Sequence, residues 1–149
     1  MEAVIFIGIQ ATGKSTFYKE RFFKTHIRIN LDMLKTRIRE DIFLDACIKA
    51  KQPFVVDNTN PSVEDRKKYI DIAKNTKFRV VGYYFQSNIA DAIMRNKKRE
   101  GKECIPLAGI KSTHAKLQLP SPEEGFDELY YVKISEENKF VVEEWKNEI

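Results

Sequence analysis

No stretch of the chain approaches the roughly 20 consecutive apolar residues of a membrane-spanning helix, so no membrane partner is expected. The opening apolar run is too short for a secretory signal and lacks its basic lead, which predicts a cytoplasmic protein. Cysteine and histidine are scarce. Cys47 and Cys104 share no metal-type spacing, and the two histidines are not clustered, so both thiols are expected to stay reduced. Internal repeats and low-complexity linkers are also missing.

What is present is the composition of one domain. At 149 residues and 42% hydrophobic, the chain can bury a core without disulfide or metal staples. Its net charge of +4 is unevenly spread. Residues 1–119 carry 23 Lys+Arg against 13 Asp+Glu, and residues 120–149 carry 3 against 9. A basic body suits a polyanionic partner, although the phosphates of one nucleotide would use several of these cations and an ordinary solvated surface also fits.

Apolar runs alternate with amphipathic stretches, the pattern of an α/β chain with a mostly parallel sheet. Strands are expected at Ala3–Ile7, His26–Ile29, Pro53–Val56 and Phe78–Phe85, with a fifth over Leu129–Ile134. Helices are expected at Lys14–Phe23, over Asp32–Lys49 as one helix or a broken pair, at Ser62–Asn75, and from Ile89 to about Arg99. Ser62 with Asp65 three residues on has the spacing of a capping box. Glu100–Pro106 reads as an exposed, mobile connection, and Phe140–Trp145 as an acidic amphipathic segment without an assigned role.

The strongest motif is GIQATGKST over residues 8–16. Gly8, Gly13, Lys14 and Ser15 satisfy G-x-x-x-x-G-K-[ST] between an expected strand and an expected helix, which is the context a P-loop requires. Glycines let the backbone amides turn inward on a polyphosphate, and the following helix adds its positive end. Gly8, Ala11, Thr12, Gly13, Lys14, Ser15 and Thr16 are the expected nucleotide contacts. Lys14 would reach the β and γ phosphates, and Ser15 would hold Mg²⁺ through its hydroxyl. Thr12 adds a hydroxyl near the phosphates, while Thr16 either supports the helix start or simply packs.

Three further segments carry chemistry. Asp32 follows the second strand on the carboxyl edge, where open α/β sheets keep their ligands. It can serve as a general base for an attacking hydroxyl, as an N-cap, or as both. Lys35, three residues on, either holds an acceptor phosphate or is solvated. Asp57 ends the apolar run PFVV as a Walker B carboxylate does, orienting Mg²⁺ or its waters, with a polar turn as the alternative. Arg66, one turn into the next helix, either holds the polar groups of that turn in place or, the favoured reading, forms a structural ion pair. Arg95 and Arg99, four apart on one helix face, fit either an internal arginine finger or a solvated basic helix end.

These pieces together resemble the kinase domain of 5′-polynucleotide kinases, P-loop phosphotransferases similar in fold to adenylate kinases. The resemblance spans nearly the whole chain, through GIQATGKSTF, RINLDML, VVDNTNPSVEDRKKYI, RNKKREG and LPSPEEGFDELYYVKI. It implies a three-layer α/β/α fold with a mostly parallel sheet and a short helical lid near residues 95–116 of a single kinase domain, 1–149. It also implies ATP and Mg²⁺, with Lys14 and Ser15 on phosphate and metal and Asp57 near the metal. Asp32 would then be the base for a 5′-hydroxyl, and Arg95 and Arg99 lid arginines on the donor phosphates. In the phage-type enzyme an arginine one turn beyond the base contacts the acceptor's 3′-phosphate. Lys35 stands there, a point charge in place of a planar fork. A kinase without an accompanying phosphatase or ligase domain is expected, as in the small stand-alone bacterial members. The acceptor stays open between a polynucleotide 5′ end and a small hydroxyl compound such as a nucleoside, antibiotic or sugar nucleotide. A non-catalytic nucleotide-binding module is the remaining reading.

Overall fold

A computed structural model describes residues 1–99, 101 and 104–146. Strand β1 (Glu2–Ile7) is the spine of the sheet, and every side chain from Ala3 to Ile7 is fully buried. Its pleat sends alternate residues to opposite faces. Ala3, Ile5 and Ile7 pack with Leu44, Cys47, Tyr69, Ile70 and Ala73, whereas Val4 and Phe6 pack with Phe17, Tyr18 and Phe22. The first set comes from α3 (Arg37–Ala50) and α4 (Val63–Asn75), and the second from α1 (Lys14–Arg21) and its C-cap. Helices therefore cover both faces of the sheet, which makes three layers.

The remaining strands are β2 (Ile27–Ile29), β3 (Phe54–Val56), β4 (Arg79–Phe85), β5 (Glu128–Ile134) and β6 (Phe140–Glu144), in the spatial order β2-β3-β1-β4-β5-β6. All neighbours are parallel except β5 and β6. The connection leaving β1 runs to β2 on one side, and the connection leaving its neighbour β3 runs to β4 on the other. That divergence opens a crevice at the carboxyl ends of the strands.

The structure decides one alternative, removes the shared helical face of Arg95 and Arg99, and gives Phe140–Trp145 a place. Phe140–Trp145 forms the antiparallel edge strand β6 over Phe140–Glu144, with Phe140 opposite Ile134. Its inward residues are only half-buried, so its apolar signal is weak. The Asp32–Lys49 stretch is the broken pair, α2 (Leu31–Leu34) and α3. The break falls at Lys35, whose φ of 77° ends α2, and Thr36 caps α3 by accepting from Arg39 N at 3.1 Å. Helix α5 (Ile89–Lys97) stops two residues short of Arg99, so Arg95 and Arg99 do not share a helical face. Of the connection expected over Glu100–Pro106, residues 100, 102 and 103 lie outside the described residues. Its far end is tied down by Asn96, whose side chain accepts from Ile105 N at 2.8 Å and donates to Ile105 O at 2.5 Å.

The capping box forms as expected, with Ser62 Oγ accepting from Asp65 N and Asp65 Oδ2 accepting from Ser62 N. One turn on, Arg66 is wholly buried and forks onto Glu124 at 2.8 and 3.1 Å, while Nη1 donates to the carbonyls of Asn60 and Pro61. The expected ion pair thus also braces the turn after β3. A small satellite core of Ile9, Ala11, Ala92 and Ile110 joins the loop after β1 to α5 and to α6 (Leu107–Lys116).

Candidate active site

The loop between β1 and α1 wraps a lysine. Gly13, at φ 93°, is the N-cap of α1, and no side chain caps that helix, so its first amides point out of the turn unpartnered by a cap. A Cβ on Gly13 would also lie 2.8 Å from the ring of Phe140, so only glycine fits. Lys14 is 8% exposed, and its Nζ donates to Gly8 O at 2.9 Å and Ile9 O at 2.6 Å. Burial pulls its pKa down to about 8, Asp57 and Asp32 oppose the fall, and Arg99 adds to it. All three residues are thus within electrostatic reach of one ammonium.

Asp57, 2% exposed, directly follows β3 beside the loop and accepts from Ser15 Oγ at 3.1 Å. The expected hydroxyl–carboxylate pair is therefore assembled. Sequence reasoning missed its third member: Arg28 of β2 donates through Nε to Asp57 Oδ2 and through Nη2 to Ser15 Oγ, each at 2.8 Å. The only signal for it was a cation in a three-residue strand between apolar neighbours.

Asp32 is not an N-cap. Asn30 takes that place, accepting from Met33 N at 3.0 Å and donating through Nδ2 to Asp57 O at 2.5 Å, so the ends of β2 and β3 are stitched together. Asn58 Oδ1 accepts from Leu31 N at 2.9 Å, and Asn58 Nδ2 donates to Glu40 Oε2 at 3.1 Å. Glu40 is completely buried and also accepts from Tyr69, Arg37 and Lys68. This network sets the turn that carries Asp32 and leaves the carboxylate itself exposed.

A cavity of about 250 Å³ brings Ala11, Gly13, Lys14, Ser15, Asp32, Asp57 and Arg99 together, with Gln10, Asn30, Asn58 and Thr59 also in its wall. Of the other expected site residues, Gly8 lies beneath the loop and donates its N–H to Thr59 O at 3.0 Å. Thr12 is buried with its hydroxyl spent on Ile9 O at 2.9 Å. Thr16 is exposed on α1, so the packing reading fails for it. Lys35 is exposed at the end of α2 and absent from the cavity wall. Arg95 reaches the outside of the loop, donating to Ala11 O at 3.4 Å.

A parallel sheet with a glycine-rich loop feeding an uncapped helix, a buried lysine and a hydroxyl–carboxylate pair defines the P-loop class of α/β proteins. The AAA domain family model matches residues 42–120, more than half of the chain, and the chain belongs to that family. The chain is 31% identical over 134 residues to the bifunctional polynucleotide phosphatase/kinase of Schizosaccharomyces pombe, an alignment covering 84% of this chain and 32% of that one. It thus spans about a third of that relative's length. Among solved structures, a gluconokinase from Sinorhizobium meliloti 1021 superimposes with a TM-score of 0.63 at 16% identity, covering 91% of this chain and 83% of that one. The AvrRxo1-ORF1:ORF2 complex with ATP gives 0.70 at 14% identity, covering 95% and 57%. These likenesses establish the P-loop kinase fold.

Proposed function

We propose that the protein transfers the γ-phosphate of ATP to the 5′-hydroxyl end of a polynucleotide. The observation that carries this reading is that Asp32, a solvent-facing carboxylate, opens into the same cavity as Lys14, Ser15, Asp57 and Arg99. A phosphate grip alone binds nucleotide; a carboxylate across from it can take a proton from an incoming hydroxyl. The curated relative's name includes a polynucleotide kinase, and the basic surplus of residues 1–119 suits a strand.

The donor set fits Mg·ATP. The uncapped α1 amides and the Lys14 ammonium supply positive charge for the β and γ phosphates. Ser15 Oγ and Asp57 are hard oxygen donors of the kind Mg²⁺ takes. When bound, the metal would neutralise charge on the phosphates. Arg99, in the cavity wall, would stabilise charge on the transferred group, while Arg95 on Ala11 O would support the loop. Asp32 would align and deprotonate the 5′-hydroxyl for in-line attack. Lys35, beyond the wall, would meet only a more distant part of the acceptor.

The test is transfer of label from γ-labelled ATP with Mg²⁺ to 5′-hydroxyl DNA and RNA oligonucleotides. Label on the strand, lost in Asp32→Asn while ADP still binds, is expected. No transfer to any oligonucleotide by protein that binds ATP overturns the reading, and transfer to a small hydroxyl compound instead would replace the acceptor.

A further inference from the structure

Arg28 is not solvated basic surface; it occupies a built seat. Its guanidinium closes a triangle in which Nε donates to Asp57 Oδ2, Nη2 donates to Ser15 Oγ, and Ser15 Oγ donates to the same Asp57 oxygen. The side chain is 27% exposed and its carboxylate partner 2%. The third wall is aromatic: Arg28 Cζ lies 5.9 Å from the Tyr18 ring centroid. That ring is itself anchored, because Tyr18 Oη donates to His26 O at 2.6 Å. Carboxylate, hydroxyl and ring face thus hold one guanidinium in a fixed place.

The two groups it binds are the two assigned above to Mg²⁺, and the inference rests on that assignment. With Arg28 in place the carboxylate charge is already balanced, and one lone pair of Ser15 Oγ is already engaged. A divalent cation approaching this pair meets a full positive charge a few ångströms away in a partly buried setting, where charge–charge energies are several times those in water. Among the described residues of the cavity wall the one other carboxylate, Asp32, faces solvent and does not fully offset that repulsion. The phosphates of a nucleotide held by Lys14 and the α1 amides would.

We propose that Arg28 is the resident cation of the Ser15–Asp57 pair and exchanges with the divalent metal, so that metal enters only together with a polyphosphate. On entry the guanidinium leaves Ser15 Oγ and keeps the Tyr18 face, and no covalent bond changes. Arg28 is a positioning residue: it acts on the metal through the two groups it holds. Its charge also draws the nucleotide, which gives the role a signature. Removing the charge strengthens binding of metal alone and weakens binding of nucleotide alone, and a merely structural arginine would not move these two in opposite directions.

The experiment titrates Mn²⁺ by electron paramagnetic resonance, with and without ADP, and measures metal-free ADP binding by calorimetry. The wild-type protein should bind Mn²⁺ at least about tenfold more weakly without ADP than with it. Equal affinities overturn the proposal. Arg28→Met, which keeps the apolar stem over Tyr18, should bind Mn²⁺ without ADP about tenfold more tightly than wild type and metal-free ADP several-fold more weakly. Arg28→Lys should restore both toward wild type. An unchanged or weakened Mn²⁺ affinity in folded Arg28→Met, or in Arg28→Gln if the methionine variant does not fold by circular dichroism, overturns the proposal. The underlying assignment is read separately: Asp57→Asn that leaves Mn²⁺ binding with ADP unchanged removes the metal from this pair. Label transfer to oligonucleotides reports on the proposed reaction independently of either result.

Discussion

Lys14 is a cation held where burial makes its charge costly. Its motif announces a cation for phosphate, yet burial lowers its pKa to about 8, so the ammonium is half lost near that pH. A bound polyphosphate favours the charged form. ADP binding should therefore take up protons above about pH 8, and affinity should fall as pH rises toward the ordinary lysine value of 10.5. Calorimetry at about pH 9 in buffers of different ionisation enthalpy should show net proton uptake for the wild type and none for Lys14→Arg. Absence of uptake in the wild type would contradict the shift. Stability moves the other way, because an unfolded lysine keeps its proton to higher pH. The destabilising burial of the charge is complete below about pH 8 and is relieved as pH rises from there to 10.5.

At the scale of elements, what was legible was local. The capping box over Ser62 and Asp65, the P-loop between β1 and α1, and the five parallel strands to within a residue or two follow from spacing and turn chemistry that act over a few residues. The N-cap place, one of the two roles open to Asp32, was taken by Asn30, because a cap is chosen by which side chain meets the turn, and Asn30 is also held by Asp57 O. The Arg66–Glu124 fork joins α4 to the 3-10 turn Pro122–Glu124 across 58 positions, which no local pattern reveals. Both partners are buried, at 0% and 8% exposure. Arg66→Met should strand a buried carboxylate and cost about 3–5 kcal/mol, read as a lower urea midpoint with an unchanged m-value. A loss below about 1 kcal/mol would show that the fork contributes little.

Across the whole molecule, the last strand supports the first loop. Phe140 of β6 packs edge-on to Phe17 of α1, with centroids 5.1 Å apart, and fills the space a Cβ on Gly13 would need. Phe140→Ala should cost about 2–3 kcal/mol, somewhat less than a fully buried phenylalanine, and should weaken ADP binding several-fold because the loop loses its backing. Unchanged nucleotide affinity in a destabilised variant would confine Phe140 to the core. The charge distribution sets a second expectation. A polynucleotide acceptor should bind more weakly as salt rises, with a linear log–log slope reflecting the phosphates it engages. A flat salt dependence would point to a small acceptor.

The P-loop motif, the α/β alternation and the carboxylates that follow β2 and β3 were legible along the chain, since each is written in residues that act on their own few neighbours. Which side chains share a cavity depends instead on how the elements pack. Strand order and register bring Ser15, Arg28 and Asp57 from three separate elements onto one point. The same geometry places Arg99 in the wall beyond the end of its helix and leaves Lys35 outside. Spacing along the chain fixes the direction of a side chain only within its own element, and the meeting of side chains from different elements depends on how those elements are laid against one another.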